Sequence, residues 1–257
     1  MKRLLFPYLV LCVTFFSCGS DDGNVVSQNP TNPNPTNPTN PTDTIPTNPN
    51  PTNPSTTLKY LALGDSYTIG QNVCETCRFP AQLKTALENA MPSTAINLSV
   101  IATTGWTTTN LISNIQTQNP ANDQDLVTLL IGVNNQYQHK PFSLYEQEFP
   151  QLVATAIALA KGDKDNVIVV SIPDYAFTPF GQGYSNPSQI TTEIAQYNTF
   201  AQNYCQTQGI VFVNITDITQ NGLQNPSLVA SDGLHPSASA YSQFVQRLLP
   251  KALSTLP

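Results

Sequence analysis

Five short apolar segments recur along residues 58–257, at 58–63, 95–101, 126–131, 167–172 and 210–213. Most are continuous rather than alternating, the pattern of parallel strands covered on both faces. Helical patterns fill the gaps between them. Ser143-x-x-Glu146 reads as a capping box, with Pro150 breaking or restarting that helix and residues 152–160 continuing it to Gly162. Ile190, Ile194, Tyr197, Ala201 and Tyr204 share one face of a helix starting near Ser188, and Pro236 opens a last helix with Tyr241, Phe244, Val245 and Leu248 apolar. Strands alternating with helices predict an α/β domain of three layers, α/β/α, around a five-stranded parallel sheet. Two hundred residues suit one such domain with a substantial core.

The chain before residue 58 has a different composition. Lys2 and Arg3 precede an apolar run over residues 4–16 that is too short to span a bilayer, the layout of an export signal. Cys18 directly follows Ser17, which looks like a bacterial lipoprotein processing site. That likeness implies a signal peptide at 1–17, lipidation of Cys18, and a protein exported and anchored to the outer membrane or cell surface of a Gram-negative bacterium. Residues 29–55 are nearly all Asn, Pro and Thr, with proline at 30, 33, 35, 38, 41, 46, 49, 51 and 54. Such a tract buries nothing and favours polyproline II, so residues 18–57 are expected to form a disordered tether, with a reach of roughly 80 Å over the Asn/Pro/Thr-rich stretch at ~3.1 Å per residue.

Charge is sparse, at 10 % of residues. Ten basic residues less Lys2 and Arg3 leave eight against 16 acidic ones, a net charge of −8 that argues against nucleic-acid binding. Cys74 and Cys77 have C-x-x-C spacing, but there is no second such pair and there are only two histidines, so no metal site is expected. A small disulfide in an oxidising compartment is the better reading, ahead of a thioredoxin-type redox role, and Cys205 is left as a buried free thiol on a helix.

In open parallel sheets ligands bind beyond the carboxyl ends of the strands, so chemistry is sought in the residues after each one. After the first come Gly64, Asp65 and Ser66. The glycine permits a tight turn and close approach, and the serine presents a hydroxyl and an N–H to the same space. Alone, Ser66 would more simply cap the next helix. After the second strand comes Gly105, flanked by Trp106, and after the third Gly132-Val133-Asn134-Asn135. The Ser66 N–H, the Gly105 N–H and the Asn134 amide make three uncharged donors for a developing oxyanion. A serine nucleophile needs a base. His235 lies in Ser231-Asp232-Gly233-Leu234-His235-Pro236, where Asp at i and His at i+3 fold into one turn; His139 has no neighbouring acid and reads as a loop residue at the rim.

These blocks resemble the GDSL-type SGNH hydrolases. Gly64-Asp65-Ser66 fits the first block, Gly105 the second, Gly132-x-Asn134 the third and Asp232-x-x-His235 the last, in order across most of residues 58–257. The chain has Asn135 where the family most often has Asp, and Tyr67 where the name-giving motif has Leu. The resemblance implies the flavodoxin-like SGNH fold and ester hydrolysis through an acyl-enzyme without cofactor. It makes Ser66 the nucleophile, His235 the general base and then acid, and Asp232 its orienting partner, with Ser66, Gly105 and Asn134 as oxyanion donors. No G-x-S-x-G elbow surrounds Ser66, which disfavours the commoner α/β-hydrolase arrangement.

Residues 173–187 form the longest loop and carry Tyr175, Phe177, Phe180 and Tyr184, candidates with Trp106 for substrate contact. The same aromatics could equally pack the loop onto the domain. Acetyl or other short acyl groups on polysaccharide or small esters are the expected substrates, with lysophospholipase or thioesterase activity as alternatives. The membrane is met only through the N-terminal lipid, and the protein is expected to be a monomer. A surface binding or adhesion lipoprotein is the rival reading from another class; Ser66, Asp232 and His235 argue against it, because a binding module needs no such trio.

Overall fold

The computed structural model describes residues 55–256. The expected signal peptide at 1–17, the lipidation at Cys18 and all of the tether before Ser55 lie outside the described residues.

Five strands, β1 (Thr56–Gly64), β2 (Thr94–Ala102), β3 (Leu126–Leu130), β4 (Val167–Val170) and β5 (Val211–Val213), form one sheet in the order β2-β1-β3-β4-β5, every pair parallel. Leu-Val-Thr-Leu-Leu of β3 and Val-Ile-Val-Val of β4 are buried at every position, as central strands between two helical layers must be. At the edge, β2 alternates instead, with Asn97 and Ser99 exposed.

Among the described residues nine α-helices connect and cover the strands: α1 (Ser66–Ile69), α2 (Phe79–Ala90), α3 (Thr108–Gln118), α4 (Val133–Tyr137), α5 (Phe142–Leu159), α6 (Pro179–Gln182), α7 (Pro187–Gln208), α8 (Thr216–Thr219) and α9 (Ala238–Thr255). One layer packs α2 against α9, where the Phe79 and Tyr241 rings lie 6.2 Å apart. The other layer packs α3, α5 and α7, with Tyr145, Phe149, Tyr197 and Phe200 in one aromatic cluster whose ring centroids lie 4.6–6.1 Å apart. Cys205 is free and fully buried on α7, where burial pushes its thiol up to about 12. A disulfide joins Cys74 to Cys77.

Two sequence readings fail on α5. The helix begins at Phe142 with Pro141 in the capping position, so Ser143 lies inside the first turn and makes no capping box. Pro141 carries no side-chain acceptor, but its φ of −53° already suits entry into a helix. Nor does Pro150 break the helix, which continues through it to Leu159. Phe149, Leu152 and Val153 around it are buried, and that packing outweighs the backbone hydrogen bond that proline removes. The final helix starts at Ala238, capped by the Ser237 hydroxyl, two residues beyond Pro236, which instead makes an isolated bridge with Val229.

The strand order places a topological switch between β1 and β3, since the chain turns outward from β1 to β2 and then returns to the other side of β1. Register aligns the ends there: Gly64 of β1 faces Ala102 of β2 on one side and Leu130 of β3 on the other. Residues two to four beyond each strand end therefore converge on one edge of the sheet.

Candidate active site

Asp65, not Ser66, caps α1. Its carboxylate oxygen Oδ1 accepts the Tyr67 N–H at 3.0 Å, and Ser66 becomes the first helical residue. The simpler role for the serine is thus already filled by its neighbour. Gly64 is required by space rather than by backbone twist: a Cβ there would stand 2.1 Å from Thr68 Oγ1 and 2.4 Å from the Leu130 carbonyl oxygen. Fully buried, Asp65 is pushed up to about 7 by desolvation, against the opposing pull of the backbone N–H groups of Tyr67, Asp65 and Gly132. Its carboxyl consequently faces the turns after both β1 and β3. Asp65 Oδ2 has no hydrogen-bond partner, and no cation is among the groups that perturb it.

On the β3 side, Gly132 has φ +130°, and a Cβ there would press to 2.7 Å from Tyr145 Cε2 and 2.8 Å from Ile172 Cδ1. The turn it makes starts α4 and delivers Asn134. Asn134 Nδ2 donates to the Trp106 carbonyl at 3.0 Å, which fixes the amide and leaves its second N–H for another acceptor. Asn135, the departure from the usual Asp, is fully buried. It accepts the Thr108 N–H through Oδ1 at 2.9 Å and donates through Nδ2 to Thr108 Oγ1 at 2.6 Å, tying α4 to the start of α3. Gly105 adopts φ +83° with open space where a Cβ would stand, so backbone conformation alone calls for glycine; its carbonyl accepts from Gln138 Nε2 at 2.9 Å.

The fourth block closes as its spacing predicts. Asp232 Oδ2 lies 2.6 Å from His235 Nδ1, while Oδ1 accepts the N–H groups of Leu234 and His235, each at 3.0 Å. Partial burial raises the Asp232 carboxyl, but the His235 ring and these two N–H donors outweigh it and hold the group below its ordinary range. An ionised carboxylate at Nδ1 fixes the imidazole tautomer that leaves Nε2 able to accept a proton. The His235 ring also stands edge-on to Tyr67, with centroids 5.7 Å apart.

Ser66, Gly105, Asn134 and His235 line one cavity of about 270 Å³, together with Tyr67, Thr104, Val133, Tyr137, Tyr175, Phe180 and Leu234. The lining holds no Asp, Glu, Lys or Arg side chain. Tyr175 is fixed by its hydroxyl, which donates to Gln136 Oε1 at 2.9 Å, and Gln136 Nε2 donates in turn to Glu193 Oε2 on α7 at 2.7 Å. Trp106 and Phe177 are half-buried against the core and are not among the lining residues. His139 is exposed at φ +52° and borders a different, polar hollow. Among the described residues no group of three His, Cys, Asp or Glu side chains is placed to hold a metal.

Sequence reasoning missed the carboxyl of Asp65, the Trp106 carbonyl, and the chain from Tyr175 through Gln136 to Glu193. Only Asp65 left a signal, as a charged residue at the end of a buried strand.

The structure is similar to that of an acetyl xylan esterase from Geobacillus stearothermophilus, at 19 % identity and a TM-score of 0.57, covering 76 % of this chain and 94 % of that one. It is similar also to a lipolytic protein of the G-D-S-L family from Veillonella parvula (18 %, TM-score 0.56, 77 % and 97 %) and to a lipase/acylhydrolase from Enterococcus faecalis (17 %, TM-score 0.58, 78 % and 97 %). Comparison with curated protein sequences gives no match. At these identities the neighbours establish the fold, and the family rests on the sequence itself: residues 62–243 match the model of the GDSL-like lipase/acylhydrolase family. A parallel sheet with four motif blocks gathered at its switch point, and a family match over most of the chain, make this protein a member of the GDSL-like lipase/acylhydrolases, a family of ester hydrolases.

Proposed function

We propose that this protein is a serine esterase that removes short acyl groups, acetyl foremost, from neutral alcohols such as carbohydrate hydroxyls. The observation that carries the reading is that Ser66 and the Asp232-paired His235 share one small, uncharged cavity with Asn134. In the first half-reaction His235 Nε2 takes the Ser66 hydroxyl proton as Oγ bonds to the ester carbonyl carbon. The carbonyl oxygen gains the negative charge and is met by the Ser66 and Gly105 N–H groups and the free Asn134 N–H. The C–O bond to the alcohol then breaks, and the imidazolium returns its proton to the departing oxygen. Water repeats these steps on the acyl-Ser66 ester and releases the acid. Asp232 keeps its negative charge throughout and steadies the imidazolium.

Cavity size and lining chemistry support the short-acyl, neutral-alcohol reading. A cavity of about 270 Å³, at the small end for ligand pockets, favours an acetyl group and part of one sugar over a long fatty acyl chain. No Lys or Arg stands in the lining to pair with the phosphate of a lysolipid or of a phosphate-bearing thioester, which favours a neutral substrate. Within this reading the protein acts outside the cytoplasm, lipid-anchored through Cys18 and displayed on the Asn/Pro/Thr tether.

The test is hydrolysis by purified full-length protein and by Ser66→Ala, with circular dichroism to check folding. Activity on p-nitrophenyl acetate that falls steeply with chain length and vanishes in Ser66→Ala supports the reading. A folded wild-type protein inert on all esters, or equally active with Ser66→Ala, overturns it.

A further inference from the structure

Four large apolar side chains are exposed among the described residues, Tyr137, Phe180, Tyr184 and Leu223, and three of them form one surface. Phe180 stands 6.2 Å from Tyr137 and 5.7 Å from Tyr184 by ring centroid, and all three rest on Tyr175 at 6.2–6.4 Å. Three elements contribute: α4 gives Tyr137, α6 gives Phe180 and the turn after α6 gives Tyr184. Their positions are fixed. The Phe180 N–H donates to the Gly233 carbonyl at 2.9 Å, inside the Asp232–His235 turn, and Thr178 caps α6 through the Gly181 N–H at 3.1 Å. A Cβ on Gly181 would lie 2.0 Å from the Tyr175 carbonyl oxygen, so this part of the chain is folded tightly back on itself. Tyr137, Tyr175 and Phe180 line the cavity that holds Ser66, and Tyr184 continues the surface outward.

Uncharged polar groups border the same cavity. Thr104, in its lining, donates to Gln71 Oε1 at 2.6 Å, and Gln138 holds the Gly105 carbonyl. An acyl chain gains most when apolar surface encloses it on all sides. Rings more than a third exposed cover one side of a ligand and leave the other wet. A pyranose suits that geometry, because its C–H face stacks on an aromatic ring while its hydroxyls remain hydrated or meet neutral amides.

Resting on the esterase reading, we propose that Tyr137, Phe180 and Tyr184 form a leaving-group subsite that stacks a pyranose ring of an acylated oligosaccharide and so selects carbohydrate esters over simple alkyl esters. The rings lie against the mouth rather than in a closed acyl tunnel, and this places the sugar on the solvent side of the scissile bond and the short acyl group inward.

The experiment compares full-length wild type with Phe180→Ala and Tyr184→Ala on acetylated cellotetraose and on ethyl acetate, followed by acid release in a pH-stat. The ratio of the two kcat/KM values, oligosaccharide over ethyl acetate, is expected to fall roughly tenfold in each variant, through KM, and to recover in Phe180→Tyr and Tyr184→Phe. A ratio unchanged in both alanine variants overturns the subsite while leaving the esterase reading intact. Equal losses on both substrates reduce the rings to structural packing and also overturn it. Binding of unacetylated cellotetraose, read by saturation-transfer NMR, needs no chemistry: binding by wild type that both alanine variants lose supports the subsite even if no ester is cleaved, and no binding by wild type counts against it.

Discussion

Asp65 carries the most quantitative expectation. Its carboxyl ionises at about 7 in the folded protein against an ordinary value of 3.8. The folded state therefore holds the proton more tightly than the unfolded chain does. For an acid shifted upward, the stability associated with the proton is fully present below about 3.8, declines as pH rises, and levels off above about 7. At about 1.4 kcal/mol for each tenfold change in proton affinity, the complete loss is about 4 kcal/mol, and roughly 2 to 3 kcal/mol of it falls between pH 5 and pH 8. Tyr67 beside it, Tyr145 on α5 and Tyr241 on α9 are titratable groups facing it, all buried, and each is pushed up chiefly by its own burial and further by the carboxylate. None supplies a positive charge. Asp65→Asn keeps an acceptor for the Tyr67 N–H and removes the ionisation. Urea unfolding of wild type and variant at pH 5, 6, 7 and 8 reads the difference. The variant should gain on wild type by roughly 2 to 3 kcal/mol from the acid to the alkaline end, whatever its stability at any one pH. The other titrating groups are common to both proteins and cancel. Parallel stability curves would show that Asp65 is already ionised and paired at pH 5, and the argument from its burial would be wrong.

Three further outcomes follow from the site. Asn134→Ala should lower kcat on p-nitrophenyl acetate by about 10² to 10³ with KM little changed, the usual loss for one oxyanion donor; an unchanged kcat removes the amide from that role. Asp232→Asn should lower kcat by about 10⁴ with folding retained, because an amide at Nδ1 no longer favours the productive tautomer, and a loss below tenfold would leave His235 orienting itself. Gly132→Ala puts a methyl against Tyr145 and Ile172 in a backbone region that L residues rarely adopt. It should cost about 1 to 3 kcal/mol from the backbone alone and lower the melting temperature by several degrees, and an unchanged melting temperature would show the turn relaxing freely.

What the sequence disclosed depended on how local the determinant was. Val-Ile-Val-Val announces a buried parallel strand because both its faces must be covered, and Asp232-x-x-His235 announces a pair because one turn brings i and i+3 together. Ser66, Gly105 and Asn134 could be placed at one edge because parallel strands end at a common level. Strand ends were off by one or two residues, as at Thr56 before residue 58, without moving the site. Failures came where distant packing decides. Pro150 stays within a helix because Phe149 and Leu152 are locked in the core, a fact no window around the proline contains. The partner of Asn134 is a backbone carbonyl 28 residues away, which has no sequence signature at all. Asp65 looked like one letter of a motif, yet its carboxyl caps the serine-bearing turn and faces the N–H of Gly132.

One property of a parallel strand sets how this domain can be attached to anything. The chain enters β1 beside Ser93, whose carbonyl accepts the Ser55 and Thr56 N–H groups, and leaves it for Ser66 only after the strand has crossed the sheet. Nine residues at ~3.3 Å separate the point of entry from the serine by roughly 30 Å. Ser55 therefore lies at the end of the domain remote from the cavity mouth. A fusion partner or immobilising tag added before Ser55 should leave the mouth open, whereas one inserted in the 173–187 connection would stand directly in its approach.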